Sequence, residues 1–273
     1  MRVCVFYNAL MGWGLTAASQ AAEHICARGV DVEIAQLPEQ DGETACLAGC
    51  DVAIAYGGDG TVLTLARQAA PLGIPVLGIN IGRVGFLCGA ELEEQFSALD
   101  RLVAGDYSIR ERGMLMATSG GESFYALNDI VIRNMHSHTM MRAELYCADG
   151  LVENYACDGL LFSTPTGSTA YALSCGGPLV SPELDCTLIL PICSHSLSTR
   201  PILMPAAQQL RAIPTAGTGP WCLVADGLLK REIPQAAKQE VLIAQAPMRA
   251  KFIKLRSDDF FDQVRRKFYT PIS

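Results

Sequence analysis

Apolar residues in the first hundred positions fall in short β-branched runs separated by longer stretches of helical spacing, the pattern of βα units on a parallel sheet. It predicts strands over residues 2–7, 30–35, 51–56 and 74–79. Helices are predicted over 17–27, where Ala21, Ala22, Ile25 and Cys26 share a face, over 61–70, and over 91–104, closed by Gly105. After Asp106 the rhythm changes. Strand-like runs at 124–133, 142–147 and 152–156 follow one another, with Gly120-Gly121 and Asp149-Gly150 as turns and no helical spacing between them. Such a region is antiparallel and strand-rich. One helix is predicted inside it, over 166–175, stopped by Gly176-Gly177-Pro178. Further strands are predicted at 201–204, 208–213, 221–225 and 240–244, and Phe260, Phe261 and Val264 predict a last helix over 258–267. The expected fold is an α/β N-terminal domain with a parallel sheet, plus a β-sandwich-like C-terminal domain, with the last helix packing back on the first.

Composition agrees with a folded chain: 50% of its 273 residues are hydrophobic and 18% charged, against a usual charged share of about 25%. No apolar run reaches about 18 residues without a charge or turn signal, so no transmembrane helix is predicted. Arg2 and the run Val3-Cys4-Val5-Phe6-Tyr7 imitate the start of a signal peptide, but Asn8 interrupts the run and a strand opening an α/β domain explains it. Lys and Arg number 21 against 28 Asp and Glu, a formal charge of −7. The longest basic cluster, Arg265, Arg266 and Lys267, reads as the polar end of the last helix, so a nucleic-acid backbone is not an expected partner. Eleven cysteines without a C-x-x-C pair signal neither a zinc ribbon nor a redox dithiol. They read as small buried hydrophobes in a reducing cytoplasm.

Three motifs carry chemistry. Gly57-Gly58-Asp59-Gly60-Thr61 stands between a predicted strand and a predicted helix. Its glycines allow a tight turn and bring consecutive N–H groups onto a phosphate at the helix start. A carboxylate there repels phosphate unless Asp59 orients a hydroxyl, binds Mg²⁺, or both; the plainer reading is a helix cap. The loop matches neither the Walker A nor the dinucleotide G-x-G-x-x-G pattern. The second motif runs from Asp158 to Tyr171, a short apolar strand followed by Ser163-Thr164-Pro165-Thr166-Gly167-Ser168-Thr169. Its hydroxyls can cap a helix or hydrogen-bond a polyhydroxy ligand. The third is Asn128-Asp129 within an apolar run, where alternate residues face opposite sides of a strand and a ribose diol is one possible partner. His136 and His138 read as a solvated turn, and Asp226-Gly227 as a turn whose Asp can approach the site.

These motifs, with Pro191-Ile192-Cys193-Ser194-His195-Ser196-Leu197-Ser198-Thr199-Arg200-Pro201, occur in the order and at the separations of the NAD kinase family. The resemblance covers residues 51–226, whereas residues 1–50 are compatible without being diagnostic. It implies transfer of a phosphoryl group from ATP, with Mg²⁺ or another divalent cation, to the 2′-hydroxyl of the adenosine ribose of NAD. By the same resemblance Asp59 orients or deprotonates that hydroxyl, and Gly57, Gly58, Gly60 and Thr61 form the phosphate loop. Asn128 and Asp129 hold the ribose and nicotinamide half of the dinucleotide. Asp158, Thr169, Ala170, Tyr171 and Ser174 line its pocket, Asn80 and Phe86 lie at the adenine, and His195 holds a loop. Residues 1–105, with about 250–273, then form the domain of the phosphate donor and catalytic loop, and 106–249 the dinucleotide-binding domain.

Two positions depart from the family pattern. Asp129 replaces the more common Glu, and Ala156, counted with the NAD-binding positions, stands where many bacterial relatives carry Arg. Loss of that cation predicts some activity on NADH besides NAD. Inorganic polyphosphate is a second possible donor, and a homodimer or homotetramer is expected. The competing readings are a lipid or sugar kinase, against which Pro75-Val76-Leu77-Gly78-Ile79-Asn80-Ile81-Gly82 breaks the expected segment after the loop, and a nucleotide sensor without turnover.

Overall fold

The computed structural model describes residues 1–38, 44–82, 85–135, 140–148, 150–215, 220–233, 240–255 and 260–269. The chain divides into two units, Met1–Arg112 with Met248–Ser273, and Gly113–Pro247. His136 and His138 lie outside the described residues.

Unit 1 is built on β1 (Arg2–Tyr7), α1 (Gly14–Cys26), β2 (Asp31–Gln36), β3 (Val52–Gly57), α2 (Asp59–Ala69), β4 (Val76–Asn80), the two-residue β5 (Ala90–Glu91) and α3 (Gln95–Ala104). The strands pair in parallel in the order β2-β1-β3-β4. Parallel strands covered on both faces read as near-continuous apolar runs, and every residue of β3 and β4 is buried. One face, with Val3, Val5, Ile54, Tyr56, Leu77 and Ile79, shares a core with Ala17, Ala18, Ala21 and Ile25 of α1 and Ala98, Leu99 and Leu102 of α3. The alternate residues Cys4, Phe6, Ala53 and Ala55 are equally buried, and α2 packs on β3 and β4. Gly105, in the left-handed conformation with φ 75°, ends α3.

Unit 2 holds the antiparallel elements: part of β6 (Ser108–Ser119), then β7 (Glu122–Ala126), β8 (Asp129–Asn134), β9 (Met141–Cys147), β10 (Gly150–Cys157), β11 (Gly159–Ser163), the four-residue α4 (Tyr171–Ser174), β12 (Cys186–Ile192), β13 (Ile202–Pro205), β14 (Leu210–Pro214), β15 (Trp221–Ala225), β16 (Leu228–Ile233) and the start of β17 (Val241–Lys254). Six of these strands form a sheet in the order β13-β12-β11-β8-β15-β16. Period-two alternation sorts its side chains. Ile130, Ile132, Leu160, Phe162, Ile189 and Leu223 face a core shared with Met141, Ala143, Leu145, Tyr155, Leu210 and Ile243 of the other strands, as in a sandwich. Val131, Leu161, Leu188 and Leu190 face the opposite way, under Ala172 and Val180.

The structure departs from the predicted elements at definite places. The single run expected over 124–133 is two strands separated at Leu127-Asn128, and the helix expected over 166–175 is a 3₁₀ turn, Thr166–Thr169, and then α4, with Ala170 at φ −101°, ψ −129° between them. Strands β6, β12 and β16 were not anticipated, and β17 runs far beyond the predicted 240–244. The last helix, α5, is Phe260–Phe268 and belongs to unit 1.

Candidate active site

In unit 1, β3 carries Gly57 at its carboxyl end, and α2 begins two residues later at Asp59. None of Gly57, Gly58 and Gly60 has a positive φ. The turn is tight, with Gly58 alone between β3 and α2, but its glycines act through clearance rather than through a left-handed backbone. A Cβ on Gly57 would stand 2.2 Å from Thr61 Oγ1, whereas the positions a Cβ would take on Gly58 and Gly60 meet nothing within 4 Å. The first turn of α2 thus presents bare backbone to open space, as a phosphate site at a helix start requires. Thr61 is buried, donates its N–H to Gly58 O at 3.0 Å, and its Oγ1 accepts from Asn8 Nδ2 at 3.4 Å.

Asp59 does not cap its own helix. Its Oδ2 accepts the N–H of Phe86 at 2.8 Å and its Oδ1 the N–H of Leu87 at 3.0 Å. Charge-assisted bonds to backbone donors fix the carboxylate's orientation. The neighbouring Gly85 has no room for a side chain, because its Cβ would lie 2.0 Å from Asp59 Oδ1. From α5, Lys267 Nζ stands 3.8 Å from Asp59 Oδ2 and 4.5 Å from the centroid of the Phe86 ring. That ring also meets Phe260 and Phe268, at 6.3 and 5.8 Å between centroids. Asn80, at the end of β4, is buried and occupied: Nδ2 donates to Glu91 Oε2 at 2.6 Å, and Oδ1 accepts the Gly82 N–H at 3.2 Å. Its amide organises the turn after β4.

In unit 2, Asn128 lies in the break between β7 and β8, and Asp129 opens β8. Both are pinned by Asp226, at the turn between β15 and β16. Its Oδ2 accepts the N–H of Leu127 at 2.9 Å, and its Oδ1 those of Asn128 at 2.8 Å and Asp129 at 3.2 Å. The Asp226 N–H returns to Asp129 O at 2.9 Å, and the residue holds φ 48°. Asp129 is 5% exposed. Burial first, and the charge of Asp226 second, push its carboxyl up to about 7.

The hydroxyls of the second motif are largely spent on backbone. Thr164 Oγ1 donates to Leu127 O at 2.6 Å and accepts the Gly167 N–H at 3.1 Å. Ser163 Oγ donates to Asn128 O at 3.2 Å, and Ser168 Oγ to Pro165 O at 2.7 Å. Gly167 permits this approach, since a Cβ there would stand 2.2 Å from Asn128 O. Thr169 Oγ1 donates to Thr166 O at 3.3 Å. Asp158, Tyr171 and Ser174 are exposed, and Ala170 is half-buried. Ala156 lies in β10 opposite Arg142, and its carbonyl accepts the His195 N–H at 2.9 Å.

Within unit 1 the structure thus joins Asp59 to Phe86, and within unit 2 it joins Asn128 and Asp129 to the hydroxyl segment. Sequence reasoning missed Gly85, Leu87, Phe260, Lys267 and Phe268. The spacing of the last three, which lets them share one face of a helix, was the available signal.

Residues 11–107 match the ATP-NAD kinase N-terminal domain and residues 127–255 the ATP-NAD kinase C-terminal domain. An NAD kinase of Heliobacterium modesticaldum is 43% identical over 222 residues, covering 80% of this chain and 78% of its own. One of Methanothermobacter thermautotrophicus is 33% identical over 275 residues, covering 98% and 96%. Among solved structures, an NAD kinase from Archaeoglobus fulgidus in complex with ATP has a TM-score of 0.79 at 26% identity, over 97% of this chain and 99% of that one. Yeast NADH kinase complexed with NADH, at 20% identity, shares the fold with a TM-score of 0.87 over 100% and 89%. With both domains matched and close relatives aligned over most of its length, the chain belongs to the ATP-NAD kinase family.

Proposed function

We propose that this protein is an NAD kinase that transfers the γ-phosphoryl group of ATP to the 2′-hydroxyl of the adenosine ribose of NAD, giving NADP and ADP. The observation that carries the reading is the Asp59 carboxylate, oriented by two backbone N–H groups beside the open face that Gly58 and Gly60 leave at the start of α2. In phosphoryl transfer through a loose transition state, positioning and charge stabilisation supply most of the catalysis. Asp59 keeps lone pairs beyond those two bonds and uses them to orient the hydroxyl or take its proton as the new P–O bond forms and the bond to ADP breaks. A general base adds a factor of about 10²–10⁴. Gly57, Gly58, Gly60 and Thr61 provide the backbone that faces the phosphates.

The remaining roles follow the family pattern. Asn128 and Asp129, held by Asp226, bind the ribose and nicotinamide half. Asp158, Thr169, Ala170, Tyr171 and Ser174 line the dinucleotide pocket, and Asn80 and Phe86 serve the adenine, Asn80 by shaping its turn. Ala156 takes one cation away from that pocket, which favours acceptance of NADH beside NAD. Among the described residues no group of three or more His, Cys, Asp or Glu forms a cage for a metal. Mg²⁺ or another divalent cation would be carried by the nucleotide's phosphate oxygens, with Asp59 as the nearby carboxylate, and would neutralise phosphate charge. All eleven cysteines are unpaired, which fits a reducing cytoplasm. No helix among the described residues is long and apolar enough to cross a membrane. A homodimer or homotetramer is the expected assembly.

The test crosses NAD or NADH with ATP or polyphosphate and follows NADP(H) formation, on the wild type and on Asp59→Asn. Expected is NADP formation with ATP, a second and weaker activity on NADH, and a loss of about 10²-fold or more in kcat for the variant with NAD binding retained. Wild-type rates from Asp59→Asn would remove the role given to that carboxylate, and a wild type inactive with every pair would remove the activity.

A further inference from the structure

We infer that Lys267, on the C-terminal helix, is a positioning residue for the transfer: its ammonium holds the Asp59 carboxylate in place and balances its charge where phosphate must approach. The inference rests on the NAD kinase reading and extends it to a residue outside the phosphate loop.

Four observations carry it. Asp59 Oδ2, the oxygen that receives the Phe86 N–H at 2.8 Å, is also the one 3.8 Å from Lys267 Nζ. At that distance the contact is one of charge, beyond hydrogen-bond reach. The ammonium also lies 4.5 Å from the Phe86 centroid, so one cation touches both the carboxylate and the aromatic ring of the segment that orients it. Helix α5 is itself fixed by that segment: Phe260 and Phe268 meet the Phe86 ring, and Val264 is 5% exposed. Finally, Arg265 in the same last turn pairs with Asp262 of its own helix, whereas Lys267 is directed at Asp59.

The physical need is plain. The carboxylate sits where a triphosphate has to come, in a protein whose formal charge is −7. A fixed ammonium within a few ångströms of Asp59 lowers the repulsion between Asp59 and incoming phosphate, and it does so locally, without any favourable field from the whole molecule. Because Lys267 and Asp59 side chains are each about one third exposed (34% and 32%), the pair remains open to an arriving ligand.

The experiment uses the full chain with Lys267→Met, Lys267→Arg, Asp59→Asn and the double variant Asp59→Asn with Lys267→Met, in two readouts. In steady-state kinetics with NAD and ATP, Lys267→Met should lower kcat by about ten- to a hundredfold, the scale of a partly screened charge pair, while KM for NAD stays within about twofold. Lys267→Arg should recover most of that loss. In the Asp59→Asn background the Met substitution should add almost nothing, because a residue that acts through Asp59 has nothing left to act on. In thermal unfolding without nucleotide, the two single substitutions should be non-additive in Tm. Multiplicative losses in the double variant, equal loss in Lys267→Arg and Lys267→Met, or faster turnover on removing the ammonium would each overturn the proposal. The unfolding cycle separates the two failures. Additive Tm changes overturn the ion pair whatever the activity, whereas an inactive wild type with coupled Tm changes overturns the kinase reading and the positioning role resting on it, leaving the ion pair intact.

Discussion

Asp129 shows how one residue's surroundings set its chemistry. With its carboxyl raised to about 7, against about 4 in an unfolded chain, the folded protein keeps a proton between those two pH values that the unfolded chain has released. The folded state is therefore favoured by this group at pH 4, loses that advantage progressively up to about pH 7, and changes no further above it. Asp129→Asn, which stays neutral, should remove the slope. Its Tm should match the wild type's near pH 4 and exceed it at pH 8. Tm profiles measured across that range decide the matter, and parallel curves for the two proteins would show that burial of Asp129 does not matter to folding. None of this was legible in the dipeptide Asn128-Asp129. The burial comes from strands on either side of β8, and the second carboxylate comes from Asp226, nearly a hundred residues later.

Elements were legible where their patterns were pure. The runs of β1, β3 and β4 are apolar apart from Arg2 and Asn80 at their ends, and their predicted bounds lie within about two residues of the observed ones. The missed strands carry mixed signals: β6 begins with Ser108-Ile109-Arg110-Glu111-Arg112, β12 contains Pro191, and β16 is half charged. The hydroxyl-rich segment looked helical because its caps resemble a helix start, yet Thr164 and Ser163 spend their hydroxyls on Leu127 and Asn128, so the segment is broken by long-range bonding that spacing does not reveal. The turn between β15 and β16 has the same character, since Asp226 closes three N–H groups at the β7–β8 break. Asp226→Ala should leave those donors unpaired and destabilise the protein by about 2 kcal/mol or more, with a higher KM for NAD. Urea unfolding at pH 7.5 and substrate titration measure both. A variant as stable as the wild type would mean that water replaces the carboxylate at no cost.

On the scale of the whole molecule, both substrates are anions and the protein is acidic. The net charge offers them no long-range attraction, so on the proposed reading the bare backbone of α2 and the ammonium of Lys267 act at contact distance. Raising the salt concentration from about 50 to 200 mM, with free Mg²⁺ held constant, should leave kcat/KM for NAD nearly unchanged or slightly raised, since screening relieves net repulsion. A steep fall would reveal a basic field that the sequence does not show. Charge balance was readable from composition alone. Which single cation mattered was not, because Arg265, Arg266 and Lys267 are indistinguishable until a helix turns one of them toward Asp59.

The unit that carries Asp59 is discontinuous: Ile253 and Leu255 belong to the same core as Val3 and Ile54, and Phe252 pairs with Val76 of β4. A nascent chain emerging from the ribosome therefore holds the Gly57–Thr61 loop early but cannot finish the domain around it until the residues of unit 2 have been synthesised. Helix α5, which follows β17 in the chain, brings the Phe86 clamp and the ammonium together. The order of synthesis thus leaves the Asp59 carboxylate without its full surroundings until α5 has emerged.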